Sequence, residues 1–459
     1  MTAKIRARRR RIAVGVAAVL VAAGCGSRVD RDTWQGAMGP GDVEPGTTTA
    51  PPGASGSTTT TAPEDGGAGD EGPCGPGDAS GATDVGVTDT EITIATIQDI
   101  GGPVPGMFQG NQDAMEAFVA WCNSLGGVNG RTLRLLEKDT GLFEPRPAIE
   151  ESCREAFAIV GSGYVFDDAT VEPQSECGIP EVAAFTSTPA HADAPLTVTA
   201  VPSPSDQTQA GASWYFAEHF PDAVEKAAIF YADAATTKDR AYLQMEAYEA
   251  AGFTWVHEAA IPITELNWGP HAEELRSKGV GYVTVWADFT APVKLVRELH
   301  AQQVDVPIVE IGAQSYDPDF IEQAGEAAEG AYVLVSTWPF EEADGNPELQ
   351  RYLEWLEKAK PGAKPTSLAI HGWSAGLLFA TVVDSLGSDV TREGLLAGLR
   401  EVHEWTGRGI HGLTDPGSNG LTECVVILQV RDGEFARVFP DEGFSCDERN
   451  VGWTRGSSR

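Results

Sequence analysis

Between residues 91 and 324, strand-like and helix-like segments alternate, and this rhythm limits the possible folds more than any other feature of the chain. Alternating β-branched residues mark 91–98 (EITIATIQ) as a strand. Ala114, Phe118, Trp121, Cys122 and Leu125 fall at helical spacing over 112–125, and Gly126-Gly127 ends that helix. A strand over 132–138, a helix over 148–157 and a short buried strand over 158–161 follow. The unit recurs at 226–231 with 238–251, at 282–286 with 291–302, and at 307–311 with 319–324. Such alternation builds doubly wound parallel sheets. The units are too many for one comfortable sheet, so the expected fold is α/β with two lobes. Sheets of this kind bind ligands beyond the carboxyl ends of their strands, which directs attention to the loops there.

After Gly330 the pattern changes. Residues 331–338 (AYVLVSTW) form one extended apolar run suited to a crossing strand. Helical patterns cover 347–360, 367–386 and 392–402. Segments 424–430 and 434–439 flank Asp432-Gly433, a strong hairpin signal.

The first 24 residues combine Lys4, Arg6 and Arg8 to Arg11 with an apolar run over 12–23 that is too short to span a bilayer. This is the pattern of an export signal. Its exit, Val21-Ala22-Ala23-Gly24-Cys25, resembles a bacterial lipobox with Ala22 in place of the usual Leu, which makes Cys25 the expected lipid-modified residue. A plain secretory signal with an incidental Cys is the alternative; a twin-arginine reading fits poorly. Two acyl chains suffice for stable anchoring. Residues 25–84 are rich in Gly, Pro, Thr, Ser and acids, including Thr47 to Thr49 and Thr58 to Thr61, and read as a flexible tether.

Charge narrows the function classes. The chain has 32 basic and 67 acidic residues, a net charge of −35, which becomes −41 without the six basic residues of the signal. Nucleic-acid binding and electrostatic docking on anionic membranes both need the opposite sign. The hydrophobic fraction, 42%, is enough for a core.

Six cysteines remain besides Cys25: Cys74, Cys122, Cys153, Cys177, Cys424 and Cys446. An even number outside the cytoplasm points to disulfides, with 15 connectivities open. Cys424 opens the hairpin and Cys446 lies just beyond it. Cys153 and Cys177 sit near the ends of successive helices. Cys74 with Cys122 is the remainder.

The segment from about 86 to 439 resembles the type I periplasmic-binding-protein family, in particular the branched-chain amino-acid and amide receptors of ABC transporters. The similarity rests on GVTDTEI (86–92), GGVNGR (126–131), IVGS (159–162), Ile179-Pro180, SPSDQTQAG (203–211), GEAAEG (325–330) and HGWSAG (371–376), in order and at matching spacing. The resemblance implies two lobes, 85–205 with 339–408 and 206–338 with 409–445, and a tail over 446–459. Three crossings near 202–206, 336–340 and 407–421 would join them around a ligand cleft that closes at a hinge.

The resemblance also implies site residues. A ligand cradle would come from Ser162, Gly163 and Tyr164 and from Thr186, Ser187 and Thr188. Asp206 falls where the family has an acid near the hinge, and it is equally suited to cap a helix over 207–216. Lobe 2 would offer Trp286, Asp288 and Phe289, then Gln314 and Tyr316. Amino-acid receptors of the family place a carboxylate in this last loop, and this chain has none among Gln314 and Ser315. A zwitterion is thereby put in question, and neutral, amide-like, aromatic or acidic ligands enter. Phe108 and Trp338 are candidate cleft walls.

No nucleotide-binding or zinc-protease motif occurs, the eight His residues lack metal-ligand spacing, and no cofactor or metal is expected. Gly372-Trp373-Ser374-Ala375-Gly376 matches the nucleophile-elbow pattern but opens an apolar helix, where Ser374 is expected to pack. The expected protein is a non-enzymatic, monomeric solute receptor. It would be lipid-anchored on the outer face of the cytoplasmic membrane and would deliver a small molecule to an ABC permease. A ligand sensor of the same fold that signals to a membrane partner is the alternative.

Overall fold

The computed structural model describes residues 72–263 and 265–453. The export signal, Cys25 and residues 25–71 of the expected tether lie outside the described residues.

The first lobe grows from β1 (Glu91–Gln98), whose Ile92, Ile94, Ala95 and Ile97 are buried on both faces, as an interior parallel strand requires. It continues through α1 (Gln109–Ser124), β2 (Thr132–Asp139), α2 (Pro145–Glu155), β3 (Ala158–Val160), α3 (Asp168–Cys177), β4 (Glu181–Ala183), the single turn α4 (Pro189–Ala192) and β5 (Thr197–Thr199). The five strands are parallel in the order β2-β1-β3-β4-β5.

The chain then crosses over. β6 (Gln207–Gln209), α5 (Gly211–His219), α6 (Pro221–Val224), β7 (Ala227–Ala232), α7 (Ala235–Glu249), β8 (Trp255–Ile261), α8 (Gly269–Lys278), β9 (Tyr282–Trp286), α9 (Thr290–Gln302), β10 (Ile308–Ile311), α10 (Pro318–Ala324) and β11 (Tyr332–Val335) build the second lobe. A second crossing returns to lobe 1 for α11 (Pro347–Ala359), α12 (Ser367–Leu386) and α13 (Arg392–Arg400). A third leads to β12 (Cys424–Arg431), β13 (Glu434–Phe439), β14 (Ser445–Cys446) and β15 (Val451–Trp453). The second sheet runs β13-β12-β11-β10-β9-β7-β8, with β14 on β12. Its β12–β13 hairpin is antiparallel. The crossings bind one another: Trp338 N–H donates to Ile410 O at 2.8 Å, Gly412 N–H to Ser336 O at 2.8 Å, and Thr414 Oγ1 to Ala200 O at 2.8 Å.

Helix α12 has the length and apolarity of a membrane span, yet 78% of its most apolar window is buried inside the protein. Trp373 explains why. Its ring packs against Phe118, Trp121 and Tyr352 with centroids 5.4–5.6 Å apart, and its Nε1 donates to Glu348 at 3.0 Å. Glu348 is balanced by Arg351 and by Arg408, the latter at 2.8 Å. Thr366 caps the helix by accepting the Ala369 N–H at 3.2 Å. Thr366→Ala is expected to cost about 1 kcal/mol, read as a lower denaturant midpoint at unchanged slope.

All three disulfides are present: Cys74–Cys122, Cys153–Cys177 and Cys424–Cys446. The last pair sits directly opposite in the β12–β14 register. The first corrects the tether. Residues 72–84 belong to lobe 1: Cys74 is buried, Gly75 N–H donates to Gly127 O at 2.7 Å, and Thr83 Oγ1 donates to Val390 O at 2.5 Å. The tight turn that receives this segment needs Gly127, whose φ is +81° and whose added Cβ would lie 1.9 Å from Arg131 O.

Two further expectations change. The supposed tail carries β14 and β15, and β15 pairs antiparallel with β6. Residues 207–209 are therefore strand, and α5 starts at Gly211, so Asp206 caps no helix there. β8 and α8 escaped the sequence reading because β8 is an edge strand that exposes alternate residues and lacks a long apolar run.

Candidate functional site

The two lobes touch at the start of helix α12. Helix α12 packs on β4 and also touches residues 313–315 beyond β10. At that point Ser367 N–H, in lobe 1, donates to Tyr316 O, in lobe 2, at 3.3 Å. Lys364 reaches across to Asp319 and, at 2.7 Å, to Glu322. The strand-end loops after β1, β2, β3, β4, β7, β9 and β10 are those where sheets of this kind bind ligands.

The lobe-1 loops carry two pairs of aromatic rings. Phe108 meets Phe185 edge-on at 4.9 Å, and Phe143 stacks on Phe166 at 5.5 Å. Phe143 is 63% exposed, unusual for a large apolar side chain. Gly163 makes room for Phe185, since a Cβ would lie 2.1 Å from that ring. Gly163→Ala is expected to displace Phe185 and weaken solute binding while leaving the sheet intact, read by unchanged far-UV circular dichroism.

The hydroxyls expected to cradle a ligand are mostly engaged by the protein itself. Ser162, fully buried, donates to Glu181. Tyr164 OH bonds Thr170 at 2.7 Å, and Ser187 Oγ donates to Tyr164 O at 2.8 Å. The backbone N–H groups of Ser187 and Thr188 both point at the Asp167 carboxylate, at 2.6 and 3.0 Å. Thr188 Oγ1 caps α4. Thr186 differs: its residue is 8% exposed and its buried Oγ1 has no hydrogen-bond partner.

Asp167 is held by His191, which joins two buried carboxylates. His191 Nδ1 lies 2.9 Å from Asp167 Oδ2, and Nε2 lies 2.8 Å from Glu181 Oε2. Burial alone would lower the His191 pKa, but the charge of Glu181 and the bonds to both carboxylates overcome it and raise it to about 10. Burial would likewise raise Glu181, and the His191 charge brings it below its ordinary value. The imidazolium is thus the permanent state at neutral pH. Sequence reasoning missed this triad; an acid inside the apolar run Val182-Ala183-Ala184 and its neighbours, at Glu181, was the available signal.

In lobe 2, Trp286 is half-buried and donates its Nε1 to Gln244. Asp288 accepts Thr290 N–H at 2.7 Å and Thr290 Oγ1 at 2.6 Å, so it serves the start of α9. Phe289 packs on the lobe-2 core. Gln314 Nε2 donates to Ala287 O at 3.4 Å and ties the β9 and β10 loops together. Tyr316 is 1% exposed, stacks on Phe340 at 5.0 Å and donates to Glu341 at 2.5 Å, which makes it a hinge residue and removes it from the cleft wall. Trp338 packs on Phe444 and donates to Glu342 O at 2.9 Å. Asp206 is half-exposed at the first crossing. Ser315, which the sequence reading noted only in passing, is fully buried with an unpartnered Oγ.

A buried carboxyl lies behind this wall. Glu310 accepts Tyr248 OH at 3.0 Å and Tyr282 OH at 2.5 Å, and burial pushes its pKa up to about 7. A carboxyl raised in the folded state contributes stability below its unfolded pKa and loses it as pH rises through the folded value. Stability from this group should therefore fall between about pH 4.5 and 7. Glu310→Gln should remove that fall, seen as a mutant-minus-wild-type unfolding free energy that grows more favourable over the same window.

Other polar clusters lie outside these loops. Ser374 of the elbow-like motif donates to His411 Nε2 at 2.8 Å and accepts Trp405 Nε1 at 2.9 Å, fully buried in the α12 core. Surface cavities of about 410 Å3, beside Glu341 and Arg437, and about 220 Å3, beside Asp193 and Arg400, open elsewhere.

Two α/β lobes and three crossings define a two-lobed solute-binding protein. The model of the family described as periplasmic binding protein matches residues 91–434, and the chain belongs to that family, with the type I fold. Membership of that family places it among extracytoplasmic binding proteins. Among solved structures it is similar to the leucine-binding protein LivK of Thermotoga maritima, at 17% identity and TM-score 0.64 over 76% of this chain and 97% of that one. A fatty-acid ABC transporter substrate-binding protein from Thermomonospora curvata matches at 16% and 0.66 over 82% and 97%. A solute-binding protein of R. palustris, in complex with 4-hydroxybenzoate, matches at 18% and 0.63 over 76% and 95%. No curated protein sequence matches significantly.

Proposed function

We propose that this chain is a lipid-anchored receptor that captures a small molecule between its lobes and hands it to an ABC permease. The observation that carries the reading is a fold of two parallel-sheet lobes joined by three hydrogen-bonded crossings in a chain of this family. Hinge closure over the solute would give the permease a signal that the receptor is loaded. The solutes named for the neighbouring structures, leucine, a fatty acid and 4-hydroxybenzoate, share an apolar body, and the Phe108, Phe143, Phe166 and Phe185 rings suit such a body.

Anchoring is carried by Cys25 and the small residues before it. Cys25→Ser is expected to move the protein from the membrane pellet to the soluble fraction, checked by fractionation and acyl labelling. Retention of the variant in the pellet would sink the anchor. Capture is tested by thermal shift of the exported chain against leucine, isoleucine, valine, amides and aromatic acids. A solute at ~100 times its Kd stabilises by ~2.7 kcal/mol, a shift of several degrees.

A further inference from the structure

The lobe-1 loops carry an anion site that the chain fills with its own side chain. Ser187 and Thr188 N–H groups, from the loop that the resemblance assigns to ligand binding, both donate to Asp167. The imidazolium of His191 locks that carboxylate in place from the other side. An incoming carboxylate would have to displace a buried, charge-paired group.

The expected ligand loops themselves carry no basic side chain to take its place. The seven loops, 99–108, 140–144, 161–167, 184–188, 233–234, 287–289 and 312–317, contain no Lys, Arg or His. They contain six acids: Asp99, Glu144, Asp167, Asp233, Asp288 and Asp317. Of the flanking basic groups, Arg240 donates to the Ser203 and Pro204 carbonyls at 2.9 and 3.0 Å, Lys364 pairs with Asp319 and Glu322, Lys238 lies over the Tyr242 ring at 5.4 Å, and burial holds His371 of α12 neutral by lowering its pKa to about 3. The buried acids are equally engaged. Asp99 accepts Thr140 Oγ1 and, at 2.8 Å, Val165 N–H, and half-buried Asp317 accepts Asp319 N–H at 2.8 Å. No buried carboxylate of these loops is left for a ligand ammonium.

What remains is neutral. Thr186 Oγ1, beyond β4, and Ser315 Oγ, beyond β10, are buried and unpartnered, and α12 touches both β4 and residues 313–315. A buried hydroxyl without a partner is costly unless something completes it. Phe185 precedes Thr186 and pairs with Phe108, and Phe143 pairs with Phe166 in the neighbouring loops.

We propose that the cleft takes an uncharged molecule with an aromatic or similarly apolar body and a hydroxyl, carbonyl or carboxamide head, and that it rejects carboxylates. The proposal rests on the receptor reading above and gives it a ligand class. Thr186 and Ser315 hydrogen-bond the neutral head, and the rings of Phe108, Phe143, Phe166 and Phe185 flank the body. Amino acids and fatty-acid or benzoate anions are excluded by the filled anion site and by the acidic rim.

The test uses matched pairs on the whole exported chain: 4-hydroxybenzamide against 4-hydroxybenzoate, octanamide against octanoate, and leucinol and isovaleramide against leucine. The expected result is a thermal shift of several degrees with at least one neutral, carboxyl-free member and at least tenfold weaker binding of its carboxylate partner. Equal or tighter binding of the carboxylates overturns the ligand class and leaves the receptor reading standing. Silence from every pair also overturns the class. Tryptophan fluorescence with concentrated growth-medium solutes then judges the receptor reading: a saturable change keeps it, none removes it. Two variants sharpen the assignment. Thr186→Val and Ser315→Ala should each weaken the responding neutral probe about tenfold without lowering the melting temperature of the unliganded protein, because neither hydroxyl has a partner to lose. A lowered melting temperature with unchanged affinity would assign both hydroxyls to structure.

Discussion

Replacing His191 by alanine is expected to destabilise the folded chain by about 3–5 kcal/mol at neutral pH, because it leaves two buried carboxylates facing each other without their cation. The wild-type pairing brings one positive and two negative charges together, with both ring nitrogens in contact at 2.8–2.9 Å. Gln174 and Thr197 lend further donors to Glu181, at 3.2 and 3.3 Å, so the carboxylate is held from several sides and cannot relax toward water. Denaturant unfolding as a function of pH checks the sign. The His191 pKa rises from 6.5 to about 10 on folding, so its contribution is complete below pH 6.5 and fades as pH climbs toward 10. The wild type should lose stability over that alkaline window and His191→Ala should not. The variant's deficit should shrink in acid, where the stranded carboxylates take up protons. A penalty under 1 kcal/mol at pH 7 would show that the triad contributes little.

Removing the Cys74–Cys122 disulfide by the double change to serine is expected to cost on the order of 4 kcal/mol. The bond closes a loop of 48 residues, and the chain-entropy cost of that closure is restored to the unfolded state when the link is cut. Native packing adds a local consequence. Cys74 is buried against α1, and Gly75 and Ala79 hydrogen-bond the 127–129 turn, at 2.7 and 3.3 Å. The serine variant should therefore release residues 72–84 to limited proteolysis well below its own melting temperature. Equal protease resistance of both proteins would mean that backbone bonds alone hold the segment.

Much of the architecture was legible because parallel strands buried on both faces are written as short apolar runs, and these survive in the sequence at 91–98, 227–232 and 282–286. Cap and turn chemistry also reads locally: Thr366 and Asn346 begin α12 and α11, and Asp432-Gly433 turns the hairpin. Edge elements were lost for the complementary reason. β8 alternates exposed and half-buried residues, and β15 is three residues long and exists only because β6 lies beside it.

The site divides along the same line. Loop positions followed from strand order, since a doubly wound sheet puts its ligand loops at the carboxyl ends whatever the side chains are. What each loop residue does depended on partners far away in the chain. Asp167 and Glu181 are 24 and 10 residues from His191, and no local pattern links the three. Tyr316 is a ligand-loop candidate by its place in the sequence, and its hydroxyl donates to Glu341, 25 residues on.

By itself, then, the sequence determined the layer architecture, the cysteine pairs with local logic, and the acidic, cation-poor character of the cleft loops. These depend on periodicity, spacing and composition. Only the tertiary structure decided that residues 72–84 are part of lobe 1, that Asp167 takes up the Ser187 and Thr188 N–H groups, and that the Thr186 and Ser315 hydroxyls are among those left without a partner. Whether a polar atom is satisfied is a property of its three-dimensional neighbours, and folding brings those neighbours together from both halves of the chain.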